Sequence, residues 1–107
     1  MDTVIPAAWR SVNTLQETDE FSAWLSALAD RAGKAHILAR LARARAGNFG
    51  NCEPVGEGVS EMRIDLGPGY RVYLKKVGTV VYLLLCAGTK STQKADIRRA
   101  KSLASKL

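Results

Sequence analysis

The chain has 107 residues, enough for one domain with a modest core and not for two. Hydrophobic residues make up 47% and charged residues 24%, an ordinary globular make-up, and 16 Lys and Arg against 10 Asp and Glu give +6, which favours an anionic partner. Two cysteines and one histidine exclude a disulfide framework and a zinc site, and the longest apolar run is far below the ~20 residues that cross a bilayer.

Residues 1–10 read as an extension, with Trp9 free to dock on the domain or on a partner, and residues 11–107 as the domain. Asp2 and the lack of a continuous apolar segment speak against a signal peptide, so a cytoplasmic protein is expected. Val12 to Gln16 suggests a short strand with Val12 buried. Thr18 is placed to cap a helix whose first turn carries Asp19 and Glu20, where negative charge suits the helix dipole. Phe21, Trp24, Leu25 and Leu28 make its apolar stripe. Gly33 reads as an interruption before a second helix from Lys34 to Ala46, with Ile37, Leu38, Leu41 and Ala44 inward. That helix also carries Lys34, Arg40, Arg43 and Arg45, a solvated face or a basic ridge for phosphate or an acidic segment. His36 reads as a surface residue.

Asn48 to Gly58 is rich in Gly and reads as a loop with a short edge pairing near Glu53. Three antiparallel strands follow. Glu61 to Leu66 and Tyr70 to Lys75 alternate with period two about Gly67-Pro68-Gly69, and Val80 to Leu85 is an apolar run. With Gly67-Pro68-Gly69 as the loop, Leu66 pairs with Tyr70, Ile64 with Val72 and Met62 with Leu74 on an apolar face. Asp65 then pairs with Arg71, Arg63 with Tyr73 and Glu61 with Lys75 on a face expected to be the open working surface. The helical hairpin is the natural cover of the apolar face. Cys86 reads as a core residue. Ser91 or Thr92 caps a last helix with Ile97, Ala100, Leu103, Ala104 and Leu107 on one stripe and Lys94, Arg98 and Lys101 on another. The fold expected is α+β: an N-terminal strand, a helical hairpin on an antiparallel sheet, and a C-terminal helix.

The run Gly67-Pro68-Gly69-Tyr70-Arg71-Val72-Tyr73, with Pro54 to Ile64 before it and Leu83 to Gln93 and Asp96-Ile97 after it, resembles the RelE/ParE superfamily of type II toxins. Within that superfamily it is most similar to the HigB-like addiction-module killer proteins. The resemblance covers Leu15 to the C-terminus. It implies a toxin that cleaves messenger RNA at the ribosome without a metal or other cofactor. It also implies a toxin–antitoxin hetero-oligomer with a cognate, HigA-like helix-turn-helix antitoxin. Arg71 matches the central strand arginine, Lys90 the basic residue beyond the last strand, and Arg63 lies near a strand lysine, so these three are the expected catalytic groups. Tyr73, Lys75, Lys94 and Arg98 are the expected RNA contacts. The last helix has neither the tyrosine nor the histidine of some relatives; Asp96 and Lys94 stand there, leaving Lys90 or Asp96 to assist proton transfer. The alternatives are a ParE-like, non-hydrolytic inhibitor of DNA gyrase and an inactive antitoxin-binding module.

Overall fold

In a computed structural model the described residues are 12–107, so the expected N-terminal extension with Trp9 lies outside them. The elements are β1 (Thr14–Glu17), α1 (Asp19–Ala27), α2 (Arg31–Arg45), β2 (Cys52–Gly56), β3 (Val59–Ile64), β4 (Tyr70–Lys76), β5 (Val81–Thr89) and α3 (Gln93–Ser105), with a 3₁₀ turn at Lys90–Thr92 leading into α3. The expected α+β class holds, and the strands form one five-stranded sheet in the order β1-β5-β4-β3-β2. β1 runs parallel to β5, while every other pairing is antiparallel. The edge pairing anticipated near Glu53 is β2 on β3.

Two helix caps bind the helical hairpin to the sheet. Thr18 Oγ1 accepts from Phe21 N–H at 3.0 Å, and its hydroxyl donates to the Leu85 carbonyl at 2.7 Å. Asp30 caps α2 by accepting from Gly33 N–H at 3.0 Å, and its second oxygen accepts from Tyr70 O–H at 2.6 Å. The Tyr70 bond is the main reason that the Asp30 carboxyl sits below its ordinary pKa, and the same bond raises the Tyr70 phenol. Each cap thus ends a chain of bonds from helix to strand.

The helix break falls before Asp30, and Gly33 lies inside the first turn of α2 rather than interrupting it. Its lack of a side chain is what lets α2 meet the Tyr70 ring: a Cβ there would stand 2.9 Å from Tyr70 Cζ and 2.6 Å from Asp30 Oδ2. Phe21, Ile37, Leu41, Met62, Ile64, Val72 and Leu84 fill the core on this face, as the stripes predict. Leu38 and Val12 are exposed, contrary to expectation. Leu38 falls one position past the inward row of Ile37, Leu41 and Ala44, and Val12 precedes the first paired residue of β1.

The opposite face of the sheet is also covered. Val59, Tyr73, Leu85 and Cys86 pack against Ala100 and Ala104 of α3. The expected open working surface is therefore the floor of a second core. Leu107, expected on the inward stripe of α3, is 66% exposed because the helix ends at Ser105.

The register of the central hairpin differs by two residues from the expected one. Ile64 pairs with Tyr70, Arg63 with Arg71, Met62 with Val72 and Glu61 with Tyr73. Strand pairing stops at Ile64, and the connection takes residues 65–69, with Gly67 and Gly69 at φ +55° and +75°. A two-residue shift keeps every side chain on its face, which is why the alternation could not distinguish the two registers.

The Gly33 contact gives the first test. Alanine has the better helix propensity by up to about 1 kcal/mol, but its methyl would overlap Tyr70 and Asp30. Gly33→Ala is expected to lower stability by about 1–3 kcal/mol, the range for overpacking, read as a lower urea midpoint; an unchanged or raised midpoint would show that α2 can shift away from β4.

Candidate nucleic-acid interface

Alternation on β3 and β4 puts Glu61, Arg63, Arg71, Tyr73 and Lys75 on the face under α3, and pairing sets Arg63 directly across from Arg71. Like charges so placed repel. Glu61 resolves the conflict. Fully buried, it accepts from Arg63 Nε at 2.8 Å, from Tyr73 O–H at 2.9 Å and from Gln93 Nε2 at 2.9 and 3.1 Å, and it lies 4.0 Å from Arg71 Nε. Burial pushes the Glu61 carboxyl upward, yet the bonds from Arg63, Gln93 and Tyr73, with the Arg63 charge, hold it below the ordinary glutamate value. The Tyr73 phenol is raised far above its usual range by burial and by the Glu61 carboxylate.

Arg71 is only 6% exposed. Its Nη1 donates to the Tyr70 carbonyl at 3.1 Å and makes a long contact of 3.5 Å with Asp65 Oδ1 in the hairpin loop. Among the described residues, its buried Nε has no hydrogen-bond partner. The Nε is sealed beside Glu61, so an anion could be met only through the Nη groups of this fixed guanidinium.

Beside it, the turn from β5 into α3 forms an open depression of about 460 Å³ lined by Lys90, Ser91, Thr92, Gln93, Lys94 and Arg98. Gly69 joins the two features. Its carbonyl accepts from Lys90 N–H at 2.7 Å, and a Cβ on it would lie 3.3 Å from Lys90 Cβ and 3.6 Å from Arg71 Nη1. With φ at +75° and that close approach, only glycine fits well here. Lys94 and Arg98 are exposed on α3 one turn apart, which separates them by about 6 Å along the axis. Asp96 is engaged by Thr92 Oγ1 instead of pointing free into the depression.

Of the residues expected to act, Arg71 and Lys90 are thus brought together, with Lys94 and Arg98 on the wall beyond. Arg63 stands behind them as the partner of Glu61 and, at 4.0 Å, of Glu53. Tyr73 is a correction: it is fully buried beneath α3, and its hydroxyl is spent on Glu61, so it has no face for a base. Lys75 is another correction. It lies on the same face four residues beyond Arg71, about 13 Å along the strand, near Gly58 at the opposite end of the sheet. Glu61 and Gln93 were not anticipated. The available signal was the shared face of Glu61, Arg63, Arg71 and Tyr73; that α3 would close over it was not visible in the pattern. Among the described residues, no group of three or more His, Cys, Asp or Glu side chains is arranged to hold a metal ion.

Glu61 carries a pH prediction. Its carboxyl binds protons less readily folded than unfolded, where its value is near 4.3, so its stabilisation is complete above about pH 5 and is lost as pH falls through the depressed folded value. Urea unfolding at pH 7 and pH 3 is expected to show a larger loss for the wild type than for Glu61→Gln. Glu61→Ala is expected to cost about 3–5 kcal/mol at pH 7, since it strands Arg71. Equal pH sensitivity of wild type and Glu61→Gln would remove Glu61 from this role.

A protein of Haemophilus influenzae described as uncharacterized is 50% identical to this chain over 93 residues, which span 87% of this chain and 94% of that protein. No family profile matches the chain, and no solved structure matches it. The chain belongs to the same family as this Haemophilus influenzae protein.

Proposed function

We propose that the protein is the toxin of a type II toxin–antitoxin pair and acts as an endoribonuclease on messenger RNA at the ribosome. The observation that carries this reading is the approach of the buried Arg71 to Lys90 across Gly69, with Lys90, Lys94 and Arg98 lining one open depression. The RelE/ParE-like pattern in the sequence supports the same reading, since Arg71 and Lys90 are the residues that match it.

The chemistry needs fixed positive charge more than it needs anything else. The 2′-hydroxyl gives its proton to water as its oxygen bonds to phosphorus, the bond to the 5′-oxygen breaks, and negative charge gathers on the phosphoryl oxygens. A guanidinium held by a rigid sheet stabilises that charge without reorganising, which is often the largest contribution an enzyme makes. Arg71 takes the scissile phosphate, and Lys90 stands beside it as an ammonium able to donate to the leaving oxygen. Lys94 and Arg98 take neighbouring phosphates along α3, their spacing close to the step between phosphates of an extended strand. A cognate antitoxin of the helix-turn-helix kind silences the site by laying acidic side chains over these cations.

A second reading is favoured by one observation. Among the described residues, the depression is lined by cations, hydroxyls, an amide and Ala95, with neither a carboxylate nor an imidazole. A binding-only toxin of the gyrase-inhibiting kind requires no such group.

Expression of the wild-type chain without an antitoxin is expected to arrest growth with cleaved messages, while intact messages with DNA breaks would favour the second reading. Arg71→Ala is expected to reduce cleavage by about 10²- to 10³-fold, the usual loss for one charge-stabilising donor. Because Arg71 is buried, Lys90→Ala serves as the exposed companion whose folding is secure. Lys94→Ala is expected to weaken RNA binding and to lower the slope of log K against log salt by about 0.7, one phosphate contact on a single strand. Full cleavage by folded Arg71→Ala and Lys90→Ala proteins would overturn the site.

A further inference from the structure

A second cavity, of about 260 Å³, opens on the other side of the hairpin loop, between α2 and the end of β3. His36 and Arg43 line its helical wall, and Asp65, Ile64 and Leu66 line its sheet side. Arg40 also borders it, but that guanidinium is committed to the backbone: it donates to the carbonyls of Arg63 at 2.6 Å and Phe49 at 3.0 Å. Asp65 is the link to the cations described above. Its side chain is 71% exposed, and its single ion pair among the described residues is the 3.5 Å contact with Arg71 Nη1. The hairpin loop is thus the place where the two faces of the sheet meet, with Arg71 on one side and the cavity on the other.

We propose that this cavity is a base subsite that selects guanine in a single-stranded RNA whose neighbouring phosphate lies on Arg71, with Asp65 as the residue that sets the specificity. The proposal rests on the phosphate-binding reading of Arg71. The chemistry of the donors and acceptors picks the base. A carboxylate accepts two parallel hydrogen bonds, and guanine is the base whose pairing edge offers two adjacent donors, N1–H and the N2 amine. Its O6 and N7 are acceptors, and His36 and Arg43 bring donors; arginine on guanine O6 and N7 is a common specific contact. Adenine and cytosine offer a carboxylate only one amine each. Uracil sets its one N–H between two carbonyl oxygens, which the carboxylate repels. Ile64 and Leu66 give the ring an apolar border. Leu66, the residue expected to end β3, is released into this border because pairing stops at Ile64.

The test uses heptauridylate oligonucleotides, 2′-O-methylated to prevent cleavage, whose central residue is uridine, adenosine, guanosine or inosine. Binding to the whole protein is read by fluorescence anisotropy. Guanosine is expected to bind about 5- to 100-fold more tightly than adenosine, the span of one good two-bond base contact. Inosine, which lacks only the N2 amine, is expected to fall between them. Asp65→Asn, at an exposed loop position, is expected to erase the difference between guanosine and inosine, and any change from the lost Arg71 contact falls on all four oligonucleotides alike. Equal binding of all four by wild-type protein, uniformly weakened in Arg71→Ala, would overturn the guanine subsite and leave the phosphate site standing. Failure of wild-type protein to bind any of the four would overturn both.

Discussion

A carboxylate buried between two arginines is the constraint on which the second core depends. Glu61 collects Arg63, Tyr73 and Gln93 and lies 4.0 Å from Arg71 Nε. Without it, the Arg63–Arg71 pairing would set two like charges across one rung of the sheet. With it, a polar layer can lie under α3 with most of its groups satisfied, and Gln93 at the start of α3 is bonded directly to the sheet. Buried pairs of this kind add little stability over an apolar substitute. Their use here is positional: the groups that hold Arg71 in place also fix the end of α3 that carries Lys94 and Arg98.

The helical hairpin is held on the other face by a different means. Thr18 and Asp30 each cap a helix with one bond and reach the sheet with another. Gly33 permits the close contact of α2 with Tyr70. Between these two layers the β3–β4 loop projects at the end of the sheet. Asp65 in that loop touches Arg71 from one side and borders the α2 cavity from the other. The chemistry proposed for this protein is concentrated around that loop and around the turn from β5 into α3, joined through the Lys90–Gly69 backbone bond.

Much of the fold was legible from local pattern. The Thr18 cap, the inward row of Phe21, Ile37, Leu41 and Ala44, and the period-two alternation of Met62, Ile64, Val72 and Leu74 each follow from side-chain direction within one element. The period of α3 put Lys94 and Arg98 on one stripe, whereas Arg71 and Lys90 were singled out only by the family resemblance. Tyr73 and Lys75 depart from expectation for different reasons. The alternation of Tyr73 with apolar neighbours is what a solvent-facing row shows, and it is also what a buried polar row shows, whereas Lys75 shares the face but lies about 13 Å along the strand from Arg71.

The amino-acid sequence by itself determined which residues share a face of each strand and helix, where the helices begin, and the excess of positive charge, because these depend on backbone period and composition. The tertiary structure decided what each face meets. α3 turned the expected open surface into a second core, the end of pairing at Ile64 lengthened the hairpin loop, and Glu61 came to lie between Arg63 and Arg71. Strand period is two, so it is blind to a two-residue shift in register and to whether a polar side chain finds water or a buried partner. Those outcomes rest on contacts between residues distant in the chain, such as Gln93 with Glu61, that no local pattern records.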